Sequence, residues 1–216
     1  MPRGPSPAVF IADAVGLDFL NTIAVPSGAP VESLGSGEAL LDWLEQTNLV
    51  PAEAVAEFRR LAMPGELDSV AAQARALREW FRGFVREHMG KPLTSRALQE
   101  LAPLNRILER DEEFGQIAKR DRRDEAAAGG LVWRAGRRWR SPDTLLLPIA
   151  RALADLVCHE DFTHVKACQG ETCTLLFIDR THGRARRWCS MEICGNRAKQ
   201  AAHRRRASTK QARVRK

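Results

Sequence analysis

Four of the five cysteines in this chain form two short-spaced pairs, Cys168-x4-Cys173 and, after fifteen intervening residues, Cys189-x4-Cys194. Two such pairs separated by ~12 to 20 residues suit a tetrahedral four-thiolate zinc centre, because each pair lies on one tight turn while the chain between them goes out and returns. With cysteine at all four positions no site stays open for water, so the one zinc ion expected per chain is structural and not catalytic. The competing reading is four free thiols brought together by accident. Disulfides are not expected. The chain reads as cytoplasmic, with no apolar run near the ~18 residues of a membrane span and a start, Met1 to Val15, whose short apolar stretch is interrupted by Asp13. Cys158 stands on an apolar helical run and is expected to be a small buried hydrophobe.

The residues around the pairs must fold so as to hold them. Thr174 to Ile178 reads as a strand, Asp179 to Gly183 as a turn, and Arg184 to Trp188 as the returning strand. Gly170 and Gly195 give the two knuckles backbone freedom and let N–H groups approach thiolate sulfur. From Gly195 to Arg204 the chain has helix formers and no breaker; Ala198, Ala201 and Ala202 share one face, with Lys199, His203 and Arg206 opposite. Knuckle, hairpin, knuckle and helix make a treble-clef-like four-cysteine zinc finger over residues 161–206.

This end is also where the positive charge sits. Lys166 to Lys216 holds fourteen Lys and Arg against three acids, +11, while the rest carries −4, giving the net +7. A basic end on a mildly acidic body is an arrangement for binding a polyanion, the bland alternative being a solvated tail. Arg184, Arg186 and Arg187 on the hairpin, with Arg197, Lys199, Arg204, Arg205 and Arg206 on and beyond the helix, are the candidate nucleic-acid contacts, since the Arg fork fits phosphate and guanine edges. Trp188 is either the plug of a small finger core or a base-stacking platform, and Asn196 either a cap or a reader of adenine. Residues 207–216 are basic and featureless and are expected to be disordered until they meet a polyanion.

Residues 1–160 read as a mainly helical domain with a small β-hairpin or sheet element. The segment from Val9 to Ile23 reads as short strand, turn and helix. Ser36 offers an N-cap for a helix over Glu38 to Thr47 with Leu40, Leu41 and Leu44 on one face, and Pro51 is expected at N1 of a helix carrying Val55, Phe58, Leu61 and Ala62. The longest helix is predicted over Glu66 to His88, with Val70, Ala74, Leu77, Phe81 and Val85 inward and Gly90 and Pro92 closing it. A helix after Thr94 or Ser95 carries Leu98, Leu101, Leu104 and Leu108 and kinks at Pro103; Gly115 to Arg140 changes to β-like patterning. Ser141-Pro142 starts a last helix with Leu145, Ile149, Leu153, Leu156 and Val157 inward and a bend at Pro148. No phosphate loop, nucleophile elbow or His-Glu-x-x-His pair occurs here, and His88, His159 and His164 stand alone in sequence, so an enzyme is not expected.

Cys168-Gln169-Gly170-Glu171-Thr172-Cys173, Leu176-Phe177-Ile178-Asp179, Arg187-Trp188-Cys189-Ser190-Met191 and Cys194-Gly195-Asn196-Arg197-Ala198-Lys199 resemble the CGNR zinc-finger family. Upstream, Leu17-Asp18-Phe19-Leu20-Asn21-Thr22 is similar to the opening motif of the ABATE domain that precedes this finger in bacterial proteins. The resemblance implies a stress-induced transcriptional regulator with the four cysteines as ligands. One departure is Arg180-Thr181-His182-Gly183, where relatives tend to carry a Ser-Arg-Asn-Gly-like turn.

Residues and resemblance converge on a DNA-binding regulator whose body senses a small-molecule ligand or forms a homodimer. An RNA- or protein-interaction module is the alternative. A metal-dependent nuclease using His182, Asn196 and His203 is a remote one, with no carboxylate cluster beside them. Asp18 and Asn21 either line a pocket or make helix-capping and core hydrogen bonds.

Overall fold

The structure is a computed structural model and describes residues 10–25, 30–120 and 130–204. Arg205, Arg206, the basic tail and residues 121–129 therefore lie outside the described residues. The fold is mainly α, with three two-stranded antiparallel sheets among the described residues.

Helix α1 (Val15–Leu20) follows directly on the turn at Asp13, and no strand precedes it in residues 10–14, unlike the expected strand-turn-helix. β1 (Ile23–Ala24) pairs instead with β2 (Val31–Glu32). α2 (Gly37–Gln46) starts where Ser36 caps it, its side chain accepting from the Ala39 N–H, and buries Leu40, Leu41, Trp43 and Leu44. α3 (Ala52–Leu61) begins one residue after Pro51, whose carbonyl accepts from Ala54 and Val55. Leu61, expected inward, is exposed at the last residue of α3.

α4 (Glu66–His88) runs over the predicted span, and Val70, Ala74, Leu77, Phe81 and Val85 are all buried. Gly65 and Gly90 bound it with φ of 83° and 78°, a region only glycine enters without cost. Pro103 does more than kink its segment. The chain breaks into α5 (Ala97–Glu100) and α6 (Ala102–Leu108), the proline sitting in the first turn of the second helix where its missing N–H costs nothing. The break rephases the stripe, so Leu98 is exposed while Leu101 and Leu104 are buried.

β3 (Glu113–Lys119) and β4 (Leu131–Arg137) form the expected hairpin, with Gln116 opposite Arg134 at its middle. A 3-10 turn over Pro142–Leu145 leads into α7 (Leu146–His159), whose Ile149, Leu153 and Leu156 are buried. Pro148 falls in the first turn of α7 and so needs no bend of the kind expected. Cys158 is exposed, not buried. Two residues past Leu156 places it well off the apolar stripe.

β5 (Val165–Ala167) and β6 (Leu176–Ile178) pair antiparallel, Lys166 opposite Phe177. This corrects the expected hairpin. β6 pairs with the strand before the first knuckle, and Arg184 to Trp188 forms no strand. The cause is local: the Asp179 carboxylate accepts from the N–H of Thr181 (3.0 Å) and of Arg186 (2.9 Å), and Arg184 takes φ of 48°, so the return is wound into a loop.

Phe162, Val165, Leu176 and Ile178 belong to the main core with α1, α4 and α7, so the start of the finger completes the body. No helix among the described residues is long and apolar enough to cross a membrane.

Candidate metal centre and basic surface

The first knuckle is a turn in which Cys173 N–H donates to Gly170 C=O (3.1 Å) and Cys168 N–H to Leu175 C=O (2.9 Å). Gly170 fits a tight space: a Cβ there would lie 3.0 Å from both Cys173 Cβ and Cys194 Sγ, so its neighbours would have to give. The second knuckle is a π-turn over Met191–Gly195, started by Ser190, whose hydroxyl accepts from Ile193 N–H (2.9 Å). It runs straight into α8, residues 196–204.

These turns bring the sulfurs of Cys168, Cys173, Cys189 and Cys194 within 4.8 Å of one another. Cys173 and Cys189 are 3.9 Å apart, against the roughly 3.8 Å edge of a tetrahedron with Zn–S bonds of about 2.3 Å. N–H groups do point at sulfur as expected, Cys189 N–H at 3.2 Å and Gly170 N–H at 3.4 Å from Cys168 Sγ. The site is closed: Cys168, Cys189 and Cys194 are buried, and Leu175, Phe177, Ala24 and part of Trp188 pack round them.

Electrostatics favour a cation here. Hydrogen bonding from Cys189 holds the Cys173 thiol down to about 5, and the same contact pushes Cys189 far up. Burial pushes Cys194 up to about 12. Thiolate is the form that ligates zinc, so a dication at the centre of the four sulfurs favours the ionised state of its ligands.

The finger is clamped to the body by the residues of the opening motif. Asn21 is 2% exposed, and its amide spans the Leu176 backbone, Nδ2 to the carbonyl at 2.8 Å and Oδ1 from the N–H at 2.9 Å. Asp18 Oδ1 accepts from Ile11 (3.1 Å) and Ala12 (3.0 Å), and Ala12 C=O in turn accepts from Ile178 N–H at 3.0 Å. Burial raises the Asp18 pKa to about 6. Asp18 and Asn21 are therefore core hydrogen-bonding groups. The main beam behind them is α4, which residue types alone did not single out: buried Arg78 makes a two-pronged ion pair with Glu32 (2.6 and 2.7 Å) and donates to Thr22 Oγ1 (2.9 Å), while Arg82 donates to Leu20 C=O. Both lie in the apolar stripe between Ala74 and Val85, and that misplaced charge was the signal.

The expected nucleic-acid residues fall into two groups. Arg186 is half-buried, with its guanidinium 4.3 Å above the Phe177 ring and donating to Asp13 (2.7 Å), Ile11 C=O (3.1 Å), Trp188 C=O (3.1 Å) and Cys189 C=O. Its role in this structure is to brace the finger against the N-terminal segment. Arg184 is exposed and donates to Asp179 C=O. Arg187 is exposed, held by Gln169 Oε1 at 2.7 Å and lying 4.9 Å over the Trp188 ring. Arg197, Lys199, His203 and Arg204 are exposed on α8, and Ala198, Ala201 and Ala202 on its other face are less so, as expected. Trp188 packs against the zinc core and carries Arg187 on its ring.

His88 is not isolated in space, since Nε2 lies 3.0 Å from Glu100 and the ring 4.5 Å from Phe84. With Glu87 it makes the second cluster of metal-capable groups among the described residues, half-exposed and acidic. His182 and His203 belong to neither cluster.

A model of the ABATE family, described as "Putative stress-induced transcription regulator", matches residues 13–160, and one described as the CGNR zinc finger matches residues 164–207. No curated protein matches the chain. With the finger match added to the geometry, Cys168, Cys173, Cys189 and Cys194 are the ligands of one structural zinc ion.

Proposed function

The chain belongs to the ABATE family and carries a CGNR zinc finger, and from that premise we propose that it is a DNA-binding transcriptional regulator that holds phosphates with Arg184, Arg187, Arg197, Lys199 and Arg204. The observation that carries this reading is the zinc-built platform itself. It presents an exposed basic helix, α8, and a surface groove of about 570 Å³ lined by Thr181, Gly183, Arg186, Arg187, Trp188 and Met191. Arg186 is left out of the phosphate-holding set because its donors serve the protein. Binding of this kind is dominated by phosphate neutralisation.

The body supplies the regulation. A cleft of about 420 Å³ between α1 and α7 is lined by Arg137, Arg151, Asp155 and Glu160 together with apolar Leu49 and Pro148, a surface for a small effector with both charged and apolar parts. Glu160 is also the ion-pair partner of Arg180 in the finger's turn (2.7 Å), so occupancy of the cleft would be felt at the finger. Binding-site selection from random duplexes, with and without chelator, tests the proposal. A recovered motif that disappears on chelation supports it; structured RNA or an acidic protein displacing every duplex refutes it.

A further inference from the structure

The β3–β4 hairpin is rooted at the α1–α7 cleft, where Glu113 and Arg137 lie, and the rest of its length is largely exposed. Its strands pair with each other alone among the described residues, and Ile117, Trp133 and Leu131 on one face are 72%, 70% and 65% exposed. A two-stranded ribbon is marginal by itself, and an unpaired edge is a template for another strand.

Which backbone groups the edge offers can be worked out. The ladder is bracketed by Arg120 N–H donating to Gly130 C=O and Arg138 N–H donating to Glu112 C=O. Residues 112 and 120 thus bond to β4, and by alternation so do Phe114, Gln116 and Ala118. The N–H and C=O groups of Glu113, Gly115, Ile117 and Lys119 point away from β4, toward the free edge.

That edge is self-complementary. We propose that two copies of this chain pair β3 to β3 about a two-fold axis through Gln116, forming one four-stranded antiparallel sheet. In this register Glu113 faces Lys119 of the second copy and Gly115 faces Ile117 of the second copy, each twice by symmetry. The facing residues are the ones with outward backbone groups, so the junction closes about eight hydrogen bonds. Gln116, already bonded to β4, falls at a non-hydrogen-bonded position, as the alternation demands.

The side chains agree. Residues 113, 115, 117 and 119 share the face of Trp133, whose ring lies across Gly115: a Cβ there would be 1.8 Å from Trp133 Cζ2. Ile117 of the second copy, opposite Gly115, therefore packs against that ring. One Glu113 oxygen meets Arg137 at 2.7 Å, and the Lys119 of the second copy approaches the same carboxylate. β4 is the poorer edge. It carries Arg134 and Arg137 and no acid, so antiparallel self-pairing centred there sets Arg134 against its own copy and gives Arg137 no acid to face.

Sedimentation equilibrium of the zinc-loaded full chain over a concentration series tests the proposal. The wild type is expected at twice its 24.1 kDa. Lys119→Glu and Glu113→Lys each put like charges at both ends of the junction and should raise the dimer Kd at least about tenfold; the two together should restore it. Ile117→Pro removes an outward N–H that β4 does not use and should yield monomer, with zinc content unchanged. A wild type that stays monomeric, a dimer indifferent to Ile117→Pro, or a charge swap that fails to rescue overturns the pairing.

Discussion

Replacing Asn21 by alanine should loosen the finger from the body without touching a zinc ligand. The side chain makes two buried hydrogen bonds to the Leu176 backbone, at 2.8 and 2.9 Å, across 155 residues of sequence. Each such bond contributes about 1 kcal/mol net, but the N–H and C=O of Leu176 would remain buried and unpaired, at about 1–3 kcal/mol each. Partial relaxation and water entry reduce the sum, and a loss of about 2–4 kcal/mol is expected. Urea unfolding at neutral pH with excess zinc measures it. Amide exchange locates it: protection should fall first at Leu176–Ile178 and Val165–Ala167. Asn21→Asp should do no better, since it keeps the acceptor for the N–H and sets a carboxylate against the Leu176 carbonyl. A loss under about 0.5 kcal/mol, or exchange that rises in α2 and leaves β6 unchanged, would refute this account of the clamp.

Two further outcomes follow from groups buried elsewhere in the core and the finger. A fragment ending at residue 160 should not fold, because Phe162, Val165, Leu176 and Ile178 are each at most 2% exposed in the main core; at about 1.5–3 kcal/mol per side chain the loss rivals a typical domain's whole stability. A cooperative thermal transition in that fragment would contradict the shared core. The two buried aspartates should show opposite pH behaviour. Burial raises Asp18 to about 6, so its contribution is greatest below the ordinary carboxylate pKa of about 4 and is lost as pH rises through 6. Asp18→Asn, which keeps the acceptor oxygen, should therefore gain on the wild type over that window. Asp179 is held well below the ordinary range: burial acts upward but is outweighed by Lys166 at 2.7 Å, by Thr181 and by the N–H of Arg186. Its contribution is present above pH about 4 and lost as pH falls toward the folded value, so the deficit of Asp179→Asn should narrow on acidification. Denaturation midpoints at a series of pH values check both signs.

What could be read from residue order was whatever depends on neighbours along the chain. The span and inner face of α4 follow from a clean three-four spacing and from glycines at its ends, and the metal ligands follow from paired cysteines whose spacing leaves one geometry. Partners far apart in sequence were invisible. Nothing local to Leu176 says that it pairs with β5 upstream and not with Arg184 to Trp188, because that choice is made by Asp179 turning its carboxylate onto the backbone of the return loop. The same holds for Asn21 and Asp18, recognisable as a motif but not as a clamp until Leu176 and Ala12 are beside them. Arg186 illustrates the limit on charge counting. It looks like its neighbours Arg184 and Arg187, yet the N-terminal segment takes up its donors.

The salt dependence of duplex binding bears most directly on the claim that the zinc-built basic surface holds DNA. For the zinc-loaded wild type, log affinity should fall linearly with log salt. Replacing Arg187, Lys199 and Arg204 by glutamine should weaken binding to all sequences and flatten the slope by about 3, since each phosphate left unneutralised takes away about 0.9. An unchanged slope in that triple variant, with zinc still bound, would contradict the account.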